Sequence, residues 1–255
     1  MPSFDHVVVI VFENKDESQV IGSRDAPTFT HLAHRYVRLT RYTAITHPSL
    51  PNYLALISGS TQGIRSDCTR CLVDAPNLAD TLAAAGRSWK TYAEGLPRPG
   101  YTGARFGLYA KKHVPFLYFR SVVRSASRRA RVVPLTQLAV DRRRNALPDF
   151  ALVVPNLCNS MHDCPVTTGD RWLRRVVPPL LALPNTLVFV TFDEGLPLPG
   201  HNHVTALALG TAVRPGVESA QATGHYGLLR TVEDAWGLPP LGRSARAAPL
   251  TGIWR

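Results

Sequence analysis

The sequence predicts an α/β fold with a mostly parallel central sheet and helices on both faces. Three segments, His6–Phe12, Phe150–Val154 and Thr186–Phe192, are continuous apolar runs of the kind that form strands buried on both sides. Between and after them lie segments with helical spacing of apolar residues, among them 77–85 and 225–236. Strands that alternate with helices in this way are typical of a parallel sheet covered on both faces.

Weaker patterns of the same two kinds predict the remaining elements. Pro178-Pro179 are expected to kink or end the helix predicted at 170–183, because proline lacks the N–H that a helix interior uses. These elements are helices at Ala26–His34 and 170–183, extended chain at Val37–Ile45, and strands at Ser88–Ala93 and Val204–Leu209.

The chain has 255 residues, which predicts a single domain spanning 1–255. Between about 95 and 145 the periodicity is lost, and proline, glycine and aromatic residues dominate. We interpret this stretch as a lid or insertion over the sheet edge.

Composition excludes a disordered chain, since 45% of the residues are hydrophobic. No apolar run is long enough to span a bilayer, and no signal peptide is recognised. The formal net charge is +11, with excess arginine in Arg120–Arg144. Such a surface attracts phosphates, anionic headgroups or nucleic acid alike, or is simply a solvated arginine-rich face.

The four cysteines form two close pairs, Cys68/Cys71 and Cys158/Cys164. Even numbers in local pairs favour two short disulfides over a zinc site, and the second spacing is poor for zinc. Disulfides indicate an oxidising compartment. A secreted or cell-surface chain whose leader has been removed would fit, with a cytoplasmic protein as the alternative.

The stretch 46–53 places Ser49 between two prolines, where an extended segment leads into a helix. One interpretation is an N-cap, which is what most serines at such positions are. The other is a nucleophile, because the N–H groups and dipole at a helix start favour an incoming phosphate. A serine nucleophile needs a metal or a base to remove or mask its proton.

Polar residues follow two of the buried strands directly: Glu13-Asn14 and Asp193-Glu194. Ligand sites of parallel sheets lie beyond the carboxyl ends of the strands, so these residues and Ser49 are expected to meet at one rim. Three carboxylates and an amide are hard oxygen donors, which favour one divalent ion, calcium, magnesium or manganese rather than zinc. The alternative is that each carboxylate caps a helix.

Phosphoryl transfer also needs a proton donor for the leaving oxygen and donors for the developing charge. His162, fixed beside a cysteine pair, and His203, which follows the second acidic pair, are the candidates. A lone histidine is usually structural, so each depends on the other members of the site.

Five segments together resemble the signature blocks of the phosphoesterase family, which contains bacterial acid phosphatases and non-specific phospholipases C within the alkaline-phosphatase superfamily. The blocks occur in the family's order over nearly the whole chain, and the short secreted acid phosphatases, some described as phosphatidylinositol-3-phosphatases, look most similar. The blocks are Phe12-Glu13-Asn14, His47-Pro48-Ser49-Leu50-Pro51-Asn52, Met161-His162-Asp163, Thr191-Phe192-Asp193-Glu194 and 225–233.

The resemblance implies an alkaline-phosphatase-like fold and a role for each matching residue. Ser49 would become a phosphoserine, and its oxygen would share one metal ion with the two acidic pairs. His162, with Asp163 beside it, and His203 would bind phosphate or protonate the leaving group. One departure is Lys15, where many relatives have histidine. The further substrate contacts implied are Asn52, His113 and His225.

The resulting hypothesis is a metal-dependent phosphomonoesterase acting on a small phosphate ester, with a phosphoinositide headgroup as one candidate. A phosphodiesterase or phospholipase C could use the same site. A protein of another class, one that binds nucleic acid or an anionic surface through Arg120–Arg144, stays open, although no nucleic acid is required. That alternative leaves the acidic pairs unexplained.

Overall fold

The computed structural model describes residues 2–198, 200 and 202–255, and its centre is a large twisted sheet. The strands are β1 His6–Phe12, β2 Val37–Leu39, β3 Tyr42–Thr43, β4 Trp89–Ala93, β5 Arg105–Phe106, β6 Tyr109–Ala110, β7 Val132–Pro134, β8 Phe150–Val154, β9 Thr186–Phe192, β10 Ala206–Leu209, β11 Val217–Ser219 and β12 Thr223–Gly224. Eight of these described strands form the main sheet in the order β11-β2-β10-β9-β1-β8-β4-β7.

Helices surround the sheet and join its strands. The α-helices are α1 Pro27–Arg35, α2 Ser49–Ser58, α3 Leu78–Ala84, α4 Arg120–Val123, α5 Ala126–Arg129, α6 Thr136–Arg143, α7 Val166–Leu181 and α8 His225–Ala235. Short 3-10 turns occupy Glu17–Gln19, Lys111–His113, Pro115–Tyr118 and Gly242–Arg246. Helix α1 packs against α7, and α2 packs against α8.

The sheet is mostly parallel, which confirms the α/β prediction. β1 lies at its centre and pairs in parallel with β8 and β9. β4 continues the parallel pairing to β7, whereas β10 runs antiparallel to β9 and to β2. A central parallel strand of this kind is covered on both faces, and every residue of β1 after His6 is buried.

The register of β1 and β9 determines where the site forms. Phe12 is paired with Phe192, and the Asp193 N–H donates to the Phe12 carbonyl at 2.9 Å. Glu13 and Asp193 therefore leave the sheet side by side at the same edge. Beneath them, the Phe12 ring packs against Phe29 and Trp172, with ring centroids 5.1 and 5.6 Å away. These apolar contacts hold the end of β1 in place.

Several expected bounds need correction. The extended segment 37–45 is broken into β2 and β3, and the irregular stretch contributes the edge strand β7 and helix α6, so part of it belongs to the sheet. Helix α7 begins earlier than predicted and continues two residues past Pro179. It tolerates the prolines because they lie in its last turns, where the carbonyls left without donors belong to the exposed residues Arg174 and Arg175.

Helix α8 carries a buried carboxyl group away from the rim. Glu233 Oε1 accepts from the Leu241 N–H at 2.9 Å, and Oε2 lies 2.6 Å from Ser244 Oγ. Burial raises the pKa of Glu233 from 4.5 to about 7. A protonated Glu233 can donate to Ser244 Oγ, which in turn can donate to the Leu241 carbonyl at 2.7 Å, so the neutral carboxyl satisfies every partner.

A Glu233→Gln variant tests this assignment. The folded pKa lies above the unfolded one, so the contribution is fully present below pH 4.5 and is lost as pH rises through about 7. From pH 5 to pH 8 the wild-type free energy of unfolding should fall by about 2 kcal/mol relative to the variant. Urea unfolding across this range measures the difference, and parallel pH profiles for the two proteins would contradict the assignment.

Candidate active site

Ser49 is the first residue of α2 and follows the cis His47–Pro48 peptide. Its Oγ lies 3.2 Å from Glu13 Oε2 and 3.1 Å from Glu194 Oε1, and the residue is only 1% exposed. The N-cap interpretation is wrong, because Pro48 occupies the cap position. Instead, Asp67 Oδ1 accepts from the Leu50 N–H at 3.0 Å. The hydroxyl is thus directed at carboxylates, and its single proton can bond to only one at a time.

The two acidic pairs meet Ser49 at the rim, as the strand-end rule predicted. We call Glu13, Asn14, Ser49, Asp193 and Glu194 the acidic cluster. Asp193 Oδ1 accepts from the N–H groups of Asn14 at 3.3 Å and of Glu194 at 2.7 Å. Asp193 Oδ2 and Asn14 Oδ1 are buried, and neither has a hydrogen-bond partner among the described residues. Buried acceptor oxygens normally have a partner, so these two indicate that the acidic cluster has room for a further positive or donor group.

Burial and mutual repulsion act unequally on the three carboxyl groups. Burial, together with the charges of Glu13 and Glu194, raises the pKa of Asp193 well above its usual range. Burial also raises the pKa of Glu194, against the opposing effect of His47. Burial opposes ionisation of Glu13 as well, but His113 and the Tyr53 hydroxyl lower its pKa to about 2. Such divergence is typical of carboxyl groups that share one buried site.

His113 and His162 stand together on one side of the acidic cluster. His113 Nε2 lies 3.1 Å from Glu13 Oε2 without forming a hydrogen bond, and its ring stacks on Tyr53. The His162 ring centroid is 5.9 Å from that of His113, and Asp163 Oδ1 lies 2.6 Å from His162 Nδ1. Asp163 therefore orients His162 with Nε2 turned away from it.

Lys112 brings a positive charge to the same side. Its Nζ donates to Asp67 Oδ2 at 2.8 Å and lies 3.4 Å from His162 Nε2. Burial opposes its charge, but the Asp67 bond and the charge of Glu13 raise the pKa of Lys112, so the amine stays protonated. Asp67 thus connects the charged amine of Lys112 to the start of α2.

Three neighbours of the acidic cluster were not singled out from the sequence. His47 Nδ1 lies 2.5 Å from Glu194 Oε2, and the Tyr53 hydroxyl donates to Glu13 Oε1. The third neighbour is Lys112, beside His162. Tyr53 was assigned only to the apolar face of its helix. Its position four residues after Ser49, on the same face, is the signal that could have found it.

Three residues expected at the substrate lie elsewhere or are already engaged. His203 Nε2 lies 2.9 Å from the Thr40 carbonyl and 3.3 Å from Glu17 Oε2. Asn52 uses its amide within its own loop, accepting from the N–H groups of 45 and 46 and donating to the carbonyls of 46 and 48. Its structural effect is to hold the loop that carries Ser49.

His225 is also engaged, beneath the acidic cluster rather than inside it. It is fully buried, its Nε2–H donates to the Asp193 carbonyl at 2.7 Å, and Nδ1 lies 2.8 Å from the Tyr42 hydroxyl. Burial lowers its pKa to about 4, so the ring is neutral. These contacts make His225 a support for Asp193 rather than a ligand of the substrate.

Both cysteine pairs form disulfides, as the spacing favoured, Cys68–Cys71 and Cys158–Cys164. The second bridge closes the loop that carries His162. Lys15, where many relatives have histidine, donates from Nζ to the Met161 carbonyl at 2.9 Å and to the Asn14 carbonyl at 3.2 Å. This residue ties the end of β1 to the His162 loop.

Among solved structures the fold recurs in the alkaline-phosphatase superfamily. A superfamily protein from Vibrio parahaemolyticus superimposes with a TM-score of 0.66 at 13% identity, over 98% of this chain and 71% of that one. The phosphonate monoester hydrolase of Silicibacter pomeroyi gives 0.63 at 14% identity, over 98% and 78%. The chain therefore has an alkaline-phosphatase-superfamily fold.

Sequence similarity is more specific. Residues 20–239 match the phosphoesterase family. The chain is 36% identical over 260 residues to a phosphatidylinositol-3-phosphatase of Mycobacterium tuberculosis, covering 100% of this chain and 84% of that protein. It is 32% identical over 227 residues to an acid phosphatase of Aspergillus fumigatus, covering 83% of this chain and 51% of that protein, about half its length. The chain belongs to the phosphoesterase family and is a hydrolase of phosphoric ester bonds.

Two further findings concern metal ligands and membrane-spanning helices. Within residues 2–198, 200 and 202–255, no three His, Cys, Asp or Glu side chains are arranged by themselves to hold a metal ion. Across the same residues, none of the helices combines the length and apolar composition that a membrane span requires.

Proposed function

We propose that this hydrolase is a metal-dependent phosphomonoesterase that forms a phosphoserine at Ser49. The observation that supports it most is the direction of the Ser49 hydroxyl, which faces Glu13 and Glu194 instead of capping its helix. The position of this hydroxyl fits a nucleophile whose proton has an acceptor beside it.

The acidic cluster fits a hard divalent cation, provided that the amide and the hydroxyl take part. The side chains that would hold it are Glu13, Asn14, Asp193 and Glu194, with Ser49 Oγ. Among the residues that the structure describes, the acids alone do not form a metal site, but Asn14 Oδ1 and Asp193 Oδ2 are buried acceptors to which none of those residues donates, which is what a cation would satisfy. An all-oxygen donor set favours calcium, magnesium or manganese over zinc. Such an ion supplies positive charge, which lowers the pKa of the serine hydroxyl and offsets repulsion between the carboxylates and phosphate.

The chain's own residues would divide the reaction between two steps. In the first, Ser49 Oγ bonds to phosphorus, its proton passes to a carboxylate that it contacts, and the bond from phosphorus to the leaving oxygen breaks. His162, held through Nδ1 by Asp163, gives a proton to that oxygen from Nε2. In the second, water bonds to phosphorus and gives a proton to His162 Nε2, the bond from phosphorus to Ser49 Oγ breaks, and Ser49 Oγ recovers its proton from the carboxylate as phosphate is released.

Lys112 and His113 would face the oxygens of the transferred group. Lys112 is protonated and stands 3.4 Å from His162 Nε2, and His113 Nε2, 3.1 Å from Glu13 Oε2, forms no hydrogen bond with any described residue. Donors that stand ready for developing negative charge lower the barrier to phosphoryl transfer. A cavity of about 280 Å³ lined by Lys112, His162 and Arg105 opens beside them, with room for a leaving group. His203, despite its engaged ring, stays a candidate only for a later contact with a larger substrate.

The substrate we propose is a phosphomonoester, with a phosphoinositide headgroup as a candidate, since the Mycobacterium tuberculosis relative is named for that substrate. Two disulfides favour an oxidising location, secreted or at the cell surface. The experiment is phosphate release from p-nitrophenyl phosphate, bis-p-nitrophenyl phosphate and phosphatidylinositol 3-phosphate, with each divalent ion and with chelator. We expect ion-dependent release from the monoesters and at least about tenfold less turnover of the diester. Faster diester turnover would contradict the proposal in favour of a phosphodiesterase.

A further inference from the structure

Apolar side chains exposed to solvent are concentrated around the mouth of the site. Within the described part of the chain, the large hydrophobic residues that are exposed are Leu72, Phe106, Leu108 and Leu198, at 40, 55, 44 and 51%. Leu72, Leu108 and Leu198 lie in loops and Phe106 ends β5, and each of these segments touches the active-site region. Scattered exposed leucines are ordinary, but confinement to one rim is what interaction surfaces show.

The hairpin of β5 and β6 carries two of them at its tip. The Leu108 carbonyl accepts from the Leu157 N–H at 3.0 Å, which holds the hairpin against the loop that follows β8. The Phe106 ring meets Tyr101 at 6.3 Å but is otherwise turned to solvent. The chain then runs directly into Lys112 and His113, so the hairpin tip stands at the entrance to the site.

Two other loops bring the remaining side chains to the same entrance. Leu72 follows the Cys68–Cys71 bridge, and Lys111 Nζ donates to the Thr69 carbonyl at 3.0 Å, so this loop is joined to the hairpin stem. Leu198 lies four residues after Glu194 and shares a cleft of about 640 Å³ with His47. The apolar tips therefore flank the site on both sides.

Two arginines that form no ion pair with any described residue accompany these tips. Arg70 and Arg105 are exposed, and of the nearby acids Asp67 pairs with Lys112 while Asp163 contacts the His162 ring. The whole chain carries a net charge of +11. Apolar side chains that project beside arginines fit the boundary of a lipid layer, where the apolar groups enter the acyl region and the cations meet anionic headgroups.

We propose that this docking rim (Leu72, Phe106, Leu108 and Leu198 with Arg70 and Arg105) seats the enzyme on an anionic lipid surface, with the mouth of the site facing the headgroups. The binding follows from the rim alone. That a phosphorylated headgroup is then hydrolysed rests on the proposed function.

The test is co-sedimentation of the full chain with vesicles of phosphatidylcholine, with and without phosphatidylserine. We expect binding to the anionic vesicles that weakens with salt, and a loss of affinity of at least about tenfold in Phe106→Ser/Leu108→Ser. The matched control is Arg143→Ser/Arg144→Ser, at the opposite edge of the sheet ahead of β8, which should change affinity by less than about threefold.

Turnover of soluble p-nitrophenyl phosphate separates the two proposals. Unchanged turnover in the hairpin variant, together with lost vesicle binding, supports the docking rim. Absence of turnover in the wild type would overturn the proposed function while leaving vesicle binding to be judged by itself. Equal vesicle binding by the wild type and the hairpin variant, or an equal loss in the arginine variant, overturns the docking rim. So does sedimentation of a lipid-free dimer that the hairpin variant abolishes, which would assign these side chains to a second copy of the chain.

Discussion

Replacing Ser49 by alanine is expected to lower kcat by at least about a thousandfold while leaving the protein folded. The hydroxyl is the group that would bond to phosphorus, and the remaining binding groups would supply only residual catalysis. Folding should survive, since the change removes a hydroxyl from between two carboxylates and keeps the helix start that Asp67 supports. Turnover of p-nitrophenyl phosphate and a thermal melt measure the two quantities.

Ser58→Ala is the matched control, because Ser58 is a buried serine of the same helix whose Oγ lies 2.7 Å from the Leu54 carbonyl, away from the acidic cluster. It should lose about 1 kcal/mol of stability and retain kcat within about threefold. Acid quenching with radiolabelled substrate should leave phosphate on the wild type and none on Ser49→Ala. Wild-type turnover by Ser49→Ala would remove Ser49 from the mechanism.

The sequence predicted the central strands because their physical requirements are severe. A strand buried on both faces must be almost entirely apolar, and a proline or a charged residue follows each of the three, so the bounds of β1, β8 and β9 were predicted to the residue. The edge strands β7 and β11 have three residues each, and each pairs with a main-sheet strand on one side only. Nothing in so short a segment separates it from a loop, and only pairing with β4 or β2 makes it a strand.

The candidate site likewise contains residues that the sequence pattern brings together and residues that only the packing of loops brings together. Glu13 and Asp193 could be brought together on paper because strand ends of a parallel sheet share an edge. Lys112 and Asp67 are 45 residues apart in two loops, and their ion pair depends on how those loops pack. His225 differs in another way. Its place in a family block suggested a contact with the substrate, whereas the residue is buried and donates to the Asp193 carbonyl. Motifs identify residues that matter, and contacts are needed to say how.

Asp193→Asn is expected to abolish ion-dependent activity and yet to leave the metal-free protein as stable as the wild type, or more stable by about 1–3 kcal/mol. Asp193 is buried beside Glu13 and Glu194, and its Oδ2 accepts no hydrogen bond from the part of the chain that the structure describes. Asparagine keeps Oδ1 for the N–H groups of Asn14 and Glu194, removes one of the clustered charges and supplies a donor to the carboxylates. What it cannot supply is the anionic oxygen that a cation would need.

Asp170→Asn provides the contrast. Asp170 is also buried, but it accepts from the N–H groups of Thr28 and Phe29 and from the Thr28 hydroxyl, with every bond satisfied. Its amide variant should lose about 1 kcal/mol or more and keep its activity. Melting with chelator and with added ion supplies a readout apart from turnover, because an ion that binds only the folded state raises the wild-type Tm and should leave the Tm of Asp193→Asn unchanged. A lower Tm for metal-free Asp193→Asn, or an ion-dependent rise in its Tm equal to that of the wild type, would mean that Asp193 is a structural acid and that the oxygen site lies elsewhere.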